Sequence, residues 1–188
     1  MSDAGAGSPD PETAQAATGL DARFPGPVVR IGIGYDSHRF AAGGPMTLGG
    51  CSIPADVSLV GHSDADAVAH ALTDAILGAA GAGDIGAMFP DSDPVNRGRD
   101  SIAMLRAAVA RVRVLGWAVH NADVTVVTER PKIGPHRDAM RASLAAALGV
   151  SVGAVSVKGK TNEGMGWIGR AEGLACMAVA SLAPVTAG

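Results

Sequence analysis

Acidic and histidine side chains that suit a metal ion are closely spaced in the first half of the sequence. Asp36 and His38 stand two positions apart beside a β-branched run, so extended backbone places both side chains on one side. His62 precedes a segment with helical spacing, and His70 lies inside that segment. Zn²⁺ binds carboxylate oxygen and imidazole nitrogen, and catalytic sites use three protein ligands with one position open. The spacing fits a zinc site that includes Asp36, His38 and His70, and it fits equally well a surface His38 with a hydrogen-bonded core His70.

Two carboxylates flank His70 on the predicted helix. Asp66 and Asp74 lie four residues before and after it, and residues four apart share a helix face. A carboxylate often fixes the ring of a metal-bound histidine by accepting its other N–H. The pattern therefore predicts that Asp66 and Asp74 orient the His70 ring.

Basic and glycine-rich junctions in the second half suit phosphate groups. Residues 128–132 (Thr-Glu-Arg-Pro-Lys) end one predicted strand, and residues 158–164 (Lys-Gly-Lys-Thr-Asn-Glu-Gly) end another. Backbone amides and lysines at such junctions commonly hold phosphates, and Glu163 suits Mg²⁺, which takes few protein ligands beside phosphate oxygens. The spacing of a Walker-type phosphate loop is absent, and Gly32-Ile33-Gly34 lacks the third glycine of a dinucleotide fingerprint.

A long acidic loop separates the two halves. Residues 78–99 are rich in glycine, proline and aspartate, including Asp84-Ile85-Gly86 and the run from Phe89 to Pro94. A loop of this length in a compact domain is more often functional than idle, and its carboxylates and amides suit hydroxyl groups or a lid. Ordinary Asx turns before proline and glycine explain the local sequence equally well.

Hydrophobic periodicity predicts the elements that position these residues. The predicted strands are residues 28–35, a hairpin at 46–53, 117–128, 155–158 and 174–182. The predicted helices are residues 64–77 with Ser63 as N-cap, 100–115, and 135–148. A single sheet with these helices on one face is the simplest arrangement. The other face then needs a partner, and self-association is the simplest one.

Composition limits the class of protein. The 188 residues are 47% hydrophobic and 18% charged, which excludes a wholly disordered chain and predicts one domain at residues 27–188 after a disordered tail at 1–26. A net charge of −3 excludes a basic nucleic-acid surface. No apolar stretch reaches the ~20 residues of a membrane helix. Cys51 and Cys176 are far apart and match two small core residues in a reducing compartment, so we expect a cytoplasmic protein without nucleic-acid or membrane partners.

Charge is distributed unevenly within the predicted domain. Residues 36–100 contain nine acidic against three basic side chains, whereas residues 101–188 contain five acidic against ten basic. The acidic half suits cations and the basic half suits phosphates, although scattered surface charge would give the same counts.

Taken in order, several motifs together resemble the 2-C-methyl-D-erythritol 2,4-cyclodiphosphate synthase family of the non-mevalonate isoprenoid pathway. The resemblance covers about residues 28–184 at the family's spacing. The matching segments are 34–38 (Gly-Tyr-Asp-Ser-His), 61–66 (Gly-His-Ser-Asp-Ala-Asp), 70–74 (His-Ala-Leu-Thr-Asp), 83–86, 89–94, 121–125, 131–132, 157–158, 161–164 (Thr-Asn-Glu-Gly), 169–170 and 172–173.

The resemblance implies an α+β (α/β sandwich) fold with a single mixed β-sheet, helices on one face, and sheets meeting around the axis of a homotrimer with active sites between subunits. It also implies a phosphorus–oxygen lyase. In the implied reaction, the 2-phosphate of 4-diphosphocytidyl-2-C-methyl-D-erythritol 2-phosphate attacks the β-phosphorus of its own diphosphate, which releases CMP and forms the cyclic diphosphate.

The same resemblance assigns the site residues. It places Zn²⁺ on Asp36, His38 and His70, and Mg²⁺ or Mn²⁺ on Glu163, and it assigns transition-state stabilisation to His62 and Thr161. Substrate contacts are implied for Ser63, Asp84, Ile85, Gly86, Phe89, Pro90, Asp91, Ser92, Asp93, Thr128, Glu129, Arg130, Pro131, Lys132, Ile133, Gly134, Lys160, Asn162, Trp167 and Arg170, with residues 128–134 reaching the substrate of a neighbouring subunit.

The chain departs from the commoner family pattern at a few positions. Residues 158–163 read Lys-Gly-Lys-Thr-Asn-Glu where many members have Lys-Ala-Thr-Thr-Thr-Glu, and Trp167 stands where phenylalanine is common. Two other functions fit parts of the sequence. A trimeric module that binds nucleotides or isoprenoid diphosphates without turnover would use the basic loops, and a metal phosphatase would release inorganic phosphate.

Overall fold

The structure, a computed structural model, describes residues 28–185 of the chain. The predicted tail at residues 1–26 lies outside the described residues. Seven strands are present: β1 (Arg30–Ala42), β2 (Met46–Leu48), β3 (Cys51–Ile53), β4 (Val57–Leu59), β5 (Trp117–Val127), β6 (Val155–Lys160) and β7 (Gly173–Pro184). The α-helices are α1 (Ala67–Ala80), α2 (Ile85–Met88), α3 (Ser101–Val114), α4 (Arg137–Leu148) and α5 (Gly166–Gly169), with 3₁₀ turns at Pro94–Asn96, Gly134–His136 and Val152–Ala154.

Five strands form one mixed sheet in the order β4-β1-β7-β5-β6, and β2 with β3 forms a separate hairpin. Strand β7 pairs antiparallel with both β1 and β5, whereas β5 and β6 are parallel. The α+β fold with a single mixed sheet, expected from the sequence, is confirmed.

The hydrophobic core lies between the sheet and helices α1, α3 and α4. Its largest members include Leu72, Ile76, Leu105, Leu144 and Leu174, all fully buried. On β1 the alternation is reversed from the usual pattern, because Gly32 and Gly34 face α1 while Ile31 and Ile33 point away and are 71% and 72% exposed. The helices therefore cover one face of the sheet, and the described residues leave the other face open.

Three local expectations differ from the structure. Strand β1 continues to Ala42, so Asp36 and His38 lie within the strand and not after it. The reason is that β7 pairs with β1 as far as Arg39, and β4 pairs with its last three residues. Helix α1 begins after Asp66 and not after Ser63, because Asp66 accepts the N–H groups of Val68 and Ala69. The acidic loop contains α2 and a 3₁₀ turn, each N-capped by an aspartate of the loop.

Both cysteines are free thiols, with Cys176 buried under the helices and Cys51 half-buried. Burial raises the pKa of each thiol, with the charge of Asp66 adding to the shift. Within residues 28–185, no helix is both long enough and apolar enough to cross a membrane.

Candidate active site

Two elements of the core bring three candidate ligands together. Strand β1 alternates between exposed and half-buried residues, and Asp36 and His38 are half-buried on the helix-facing side. Helix α1 packs across β1 and directs His70 toward them. One ligand atom from each side chain lies within 4.8 Å of the other two. The cluster predicted from spacing is therefore formed within one chain.

The ring of His38 has one committed nitrogen and one free nitrogen. Its Nδ1 lies 2.8 Å from the carbonyl oxygen of Ser37, and a carbonyl only accepts, so Nδ1 carries the proton. The other nitrogen, Nε2, is buried and has no hydrogen-bond partner among the described residues. A buried lone pair without a partner is costly, so Nε2 of His38 has an unused lone pair that can bind a cation.

The ring of His70 contacts polar groups on both sides. Its Nδ1 lies 3.1 Å from Oδ2 of Asp36, and its Nε2 lies 2.9 Å from the hydroxyl oxygens of both Ser63 and Ser101. Burial lowers the pKa of His70, but the hydrogen bond and charge of Asp36, aided by Asp66 and Asp64, outweigh burial and raise that pKa. The site therefore favours a positive charge at this position.

The prediction that Asp66 and Asp74 orient the His70 ring is wrong. The fully buried Asp66 carboxylate accepts the N–H groups of Gly49 and Gly50, besides capping α1, and thereby ties the β2–β3 hairpin to the helix. Asp74 accepts the N–H of Ile85 at 2.7 Å and holds the start of α2. Serine hydroxyls take the place that carboxylates were expected to fill.

The donor set fits a divalent cation. It consists of a carboxylate oxygen of Asp36 and one ring nitrogen each from His38 and His70, and two nitrogens with one oxygen match a catalytic zinc site. These side chains are 13% to 21% exposed, so the cluster is partly open to solvent.

A cavity of about 360 Å³ opens over the cluster. Its lining includes the three ligands and six other residues that the sequence singled out: His62, Ser63, Ile85, Gly86, Phe89 and Asp91. Asn96 and Met104 also line it and carried no signal in the sequence. We call it the metal cavity. Four further predicted residues lie in the loop that borders the metal cavity. Asp84 caps α2, and the Pro90 carbonyl accepts the Asn96 amide. Ser92 and Asp93 line a depression beside His62.

A second cavity, of about 340 Å³, lies at the ends of β5 and β6. Seven predicted residues line it, together with Pro135, Arg137 and Gly159; the seven are Thr128, Pro131, Lys132, Ile133, Gly134, Lys160 and Thr161. Three lining side chains are basic and none is acidic, so the cavity attracts anions. We call it the basic cavity. Within one chain the metal cavity and the basic cavity share no lining residue.

One sequence departure has a packing cause at the basic cavity. Gly159 stands where many members of the resembled family have alanine, and a Cβ there would lie 2.7 Å from Cβ of Ile133. The buried Ile133 side chain therefore occupies the space that an alanine Cβ at position 159 would need.

The remaining predicted residues line neither cavity. Glu163 accepts the Thr161 hydroxyl at 2.8 Å, and Asn162 donates its side-chain amide to the Met165 carbonyl. Glu129 accepts the N–H groups of Asn162 and Gly164 at 3.0 and 3.2 Å, so its carboxylate supports the loop after β6. Arg130 pairs with Asp56, and Arg170 pairs with Glu172. Trp167 lines a shallow depression together with His38.

Sequence reasoning missed the role of Ser101. This residue is fully buried at the first position of α3 and contacts both His70 and Asp64. Asp64 belongs to a segment that the sequence singled out, but Ser101 follows a helix-capping aspartate and shows no other signal. Only the docking of α3 beside α1 reveals the contact.

The chain was compared with protein families, curated proteins and solved structures. The YgbB family matches residues 29–183. A 2-C-methyl-D-erythritol 2,4-cyclodiphosphate synthase of Gemmatimonas aurantiaca is 63% identical over 155 residues, which are 82% of this chain and 93% of the relative. The enzyme of the same name from Chromobacterium violaceum is 57% identical over 154 residues, 82% of this chain and 98% of the relative. A solved structure of such a synthase, bound to CDP, is 42% identical with a TM-score of 0.75 and covers 81% of this chain and 99% of its own.

Proposed function

The chain belongs to the YgbB family and catalyses the cyclodiphosphate-forming step of isoprenoid synthesis, and we propose that it does so in the metal cavity. The reaction converts 4-diphosphocytidyl-2-C-methyl-D-erythritol 2-phosphate to 2-C-methyl-D-erythritol 2,4-cyclodiphosphate and CMP. An oxygen of the 2-phosphate forms a bond to the β-phosphorus, and the bond from that phosphorus to the oxygen bridging it to the α-phosphorus breaks. The observation that carries the proposal is the cluster of Asp36, His38 and His70, whose ligand atoms lie within 4.8 Å of one another beside a cavity of about 360 Å³.

Asp36, His38 and His70 would hold a zinc ion, which when bound polarises a phosphate oxygen and offsets the negative charge of the reacting phosphates. The protein supplies the positioning, which is the larger task when two anions must meet. His62 lines the cavity beside the cluster and is exposed, so its ring is available to a phosphate oxygen. Ile85, Phe89 and Met104 form the apolar part of the lining, where the methyl and carbon skeleton of the substrate would lie.

We propose that the basic cavity holds the cytidine diphosphate end of the substrate. Lys132 and Lys160 supply positive charge for phosphates, and a related synthase has been solved with CDP bound. Thr161, which also lines this cavity, would stabilise the transition state together with His62. Glu163 would hold Mg²⁺ or Mn²⁺ together with phosphate oxygens; its exposed carboxylate accepts only the Thr161 hydroxyl among the described residues.

The two cavities would form one active site across a subunit boundary. We propose a homotrimer in which the open sheet faces meet around the axis, so that the metal cavity of one subunit adjoins the basic cavity of the next. The open face carries Ile31, Ile33, Tyr35, Met177 and Val179, each between 42% and 72% exposed. An apolar strip of this kind is typical of an interface.

The assembly is tested by light scattering coupled to gel filtration. A trimer has a mass of three times 18.7 kDa, and Ile33→Lys should reduce the mass to that of one chain. A wild-type monomer that retains full activity would contradict the shared site. We further propose that the enzyme acts in the cytoplasm, where both free thiols remain reduced; recovery of the native protein from a membrane or secreted fraction would contradict this.

Phosphorus NMR of one reaction mixture tests the reaction itself. With the diphosphocytidyl substrate, Zn²⁺ and Mg²⁺, we expect CMP and a cyclic diphosphate in equal amounts. Inorganic phosphate as the product would indicate a phosphatase, and a bound but unchanged substrate would indicate a binding module. Either result would contradict the proposed use of the metal cavity.

A further inference from the structure

A chain of hydrogen bonds runs from the metal cavity into the protein. Nε2 of His70 lies 2.9 Å from the hydroxyl oxygen of Ser101, and the Ser101 hydroxyl in turn bonds Oδ1 of Asp64. Oδ2 of Asp64 also accepts the backbone N–H of Ser101 at 3.2 Å. Ser101 is fully buried, so water does not compete for its hydroxyl. The three groups join α1 to the first turn of α3.

The direction of the proton in each bond is fixed by what each group can do. An ionised carboxylate only accepts, so the single hydroxyl proton of Ser101 goes to Asp64. The Ser101 oxygen can then only accept, either from His70 or from the Ser63 hydroxyl 3.2 Å away, and its bond to His70 requires a proton on Nε2. A neutral imidazole carries one proton, so Nδ1 is then left with a lone pair. Oδ2 of Asp36 lies 3.1 Å from Nδ1, so this form is stabilised when a cation binds both atoms.

The opposite tautomer lets Nδ1 donate to Asp36 but creates a conflict on the Nε2 side of the ring. With the proton on Nδ1, Nε2 would accept from Ser63, whose hydroxyl is 2.9 Å away. Nε2 and the Ser101 oxygen would then be two acceptors facing each other at 2.9 Å. Ser63 is therefore compatible with either tautomer, whereas Ser101 held by Asp64 is compatible with only one.

We propose that Ser101, oriented by Asp64, is a positioning residue that keeps the His70 proton on Nε2 and leaves Nδ1 free to bind the metal ion. The proposal rests on the proposed function only in taking His70 as a metal ligand. The partners that fix a ligating histidine typically change metal affinity 10- to 100-fold when they are removed.

The first test uses zinc-loaded protein labelled with ¹⁵N-histidine. Long-range proton–nitrogen correlations identify the protonated ring nitrogen, and the His70 signals are assigned by their absence in His70→Gln. We expect the wild type to show an Nε2 proton on His70 that exchanges slowly with water, because the buried Ser101 oxygen accepts it, and Ser101→Ala to show faster exchange. Ser63→Ala should keep the slow exchange, because the Asp64–Ser101 pair remains. The wild-type exchange rate retained in Ser101→Ala would overturn the proposal.

The second test measures zinc binding by calorimetry with the same proteins. We expect the dissociation constant to rise roughly 10- to 100-fold in Ser101→Ala and to stay unchanged in Ser151→Ala, an exposed serine without a side-chain capping bond. If Ser101→Ala does not fold, Asp64→Asn keeps the serine and should shift both readouts in the same direction by a smaller amount. Equal zinc affinities in wild type and variants would overturn the proposal. A wild type that binds no zinc would overturn both the metal site and the proposal, whereas one that binds zinc without forming product would contradict only the proposed function.

Discussion

The Nδ1 atom of His70 lies 3.1 Å from Oδ2 of Asp36, although the residues are 34 positions apart and belong to a helix and a strand. The contact joins α1 to β1 at the base of the metal cavity. Because His38 adds a buried nitrogen without a partner, the structure brings three donors to one point.

Removal of one donor should abolish zinc binding. In His70→Ala we expect zinc content to fall from about one ion per chain to less than about 0.1, because the two remaining ligands cannot complete a tetrahedral site. Atomic absorption after gel filtration measures this. His120→Ala, an exposed histidine of β5, should retain the full metal content. Zinc retained by His70→Ala would contradict the ligand assignment.

The carboxylate of Glu129 should determine the conformation of the loop after β6. It accepts the N–H groups of Asn162 and Gly164, and between them Glu163 has a φ of 52°, in the left-handed region that is costly for a residue with a side chain. Without these bonds the loop that carries Thr161 should relax. We expect Glu129→Ala to lower kcat/KM by about tenfold, equivalent to roughly 1.4 kcal/mol.

The matched control for this loop is Glu129→Gln, whose side-chain oxygen can still accept both N–H groups. It should retain most of the activity. Hydrogen exchange at Asn162 and Gly164 should accelerate in the alanine variant alone. Equal exchange rates in both variants would show that the Glu129 carboxylate does not hold the loop.

The contact between β1 and α1 should tolerate no side chain at Gly34. A Cβ there would overlap the carbonyl oxygen of Ala71 and lie 2.8 Å from the backbone nitrogen of Ala75. We expect Gly34→Ala to reduce the free energy of unfolding by at least roughly 1–3 kcal/mol, as overpacking does. Urea unfolding in the presence of EDTA measures it without a contribution from metal.

Gly78, which lies on helix α1, provides the opposite case to Gly34 of β1. Apart from its chain neighbours and the backbone of its own helix, no atom lies within 4 Å of the position that its Cβ would take, so Gly78→Ala should stabilise the protein by about 0.5–1 kcal/mol. Similar effects of the two substitutions would contradict the close approach of α1 to β1.

Asp74 should make the stability of the metal-free protein depend on pH. Burial, followed by the charges of Asp84 and Asp36, raises its pKa above the ordinary 3.8, against the N–H of Ile85 and the charge of His70. Folding therefore favours the protonated acid, and this contribution is present below the ordinary pKa and lost as pH rises through the raised pKa.

Asp74→Asn removes that titration while keeping an oxygen for the Ile85 N–H. We expect the Tm of the wild type to fall relative to that of the variant as pH rises from about 3.5 to 6. Differential scanning calorimetry of both proteins in EDTA gives the comparison. A Tm difference that is constant over this interval would be inconsistent with the raised pKa.

The fold and the metal cluster could be predicted from local patterns. The two-residue spacing of Asp36 and His38 specifies one side of a strand, and the helical spacing around His70 specifies an inward-facing position. Those patterns fit a metal site and a core histidine equally well, and the family resemblance identified the three residues as ligands. The length of β1 did not follow, because its second half is extended through pairing with β7 and then with β4.

The partners of the ligands could not be predicted, because they depend on tertiary contacts. Asp66 caps α1 since its carboxylate also meets the N–H groups of Gly49 and Gly50, which are distant in the sequence. Ser101 reaches His70 only because α3 docks beside α1. The single chain also keeps the metal cavity and the basic cavity apart, and no pattern within one chain specifies how copies adjoin.

The two glycines of β1 have a consequence for how the metal site can change over time. Gly34 lies two positions before Asp36, and Gly32 two positions before Gly34, and both place bare backbone against the helix that bears His70. Because neither glycine has a side chain, the helix lies close to the strand, and this sets the separation between His70 and the two ligands on β1. A substitution at either glycine would leave the three ligand residues unchanged and yet move His70 outward. Loss of metal selectivity could therefore arise without any change to the coordinating residues.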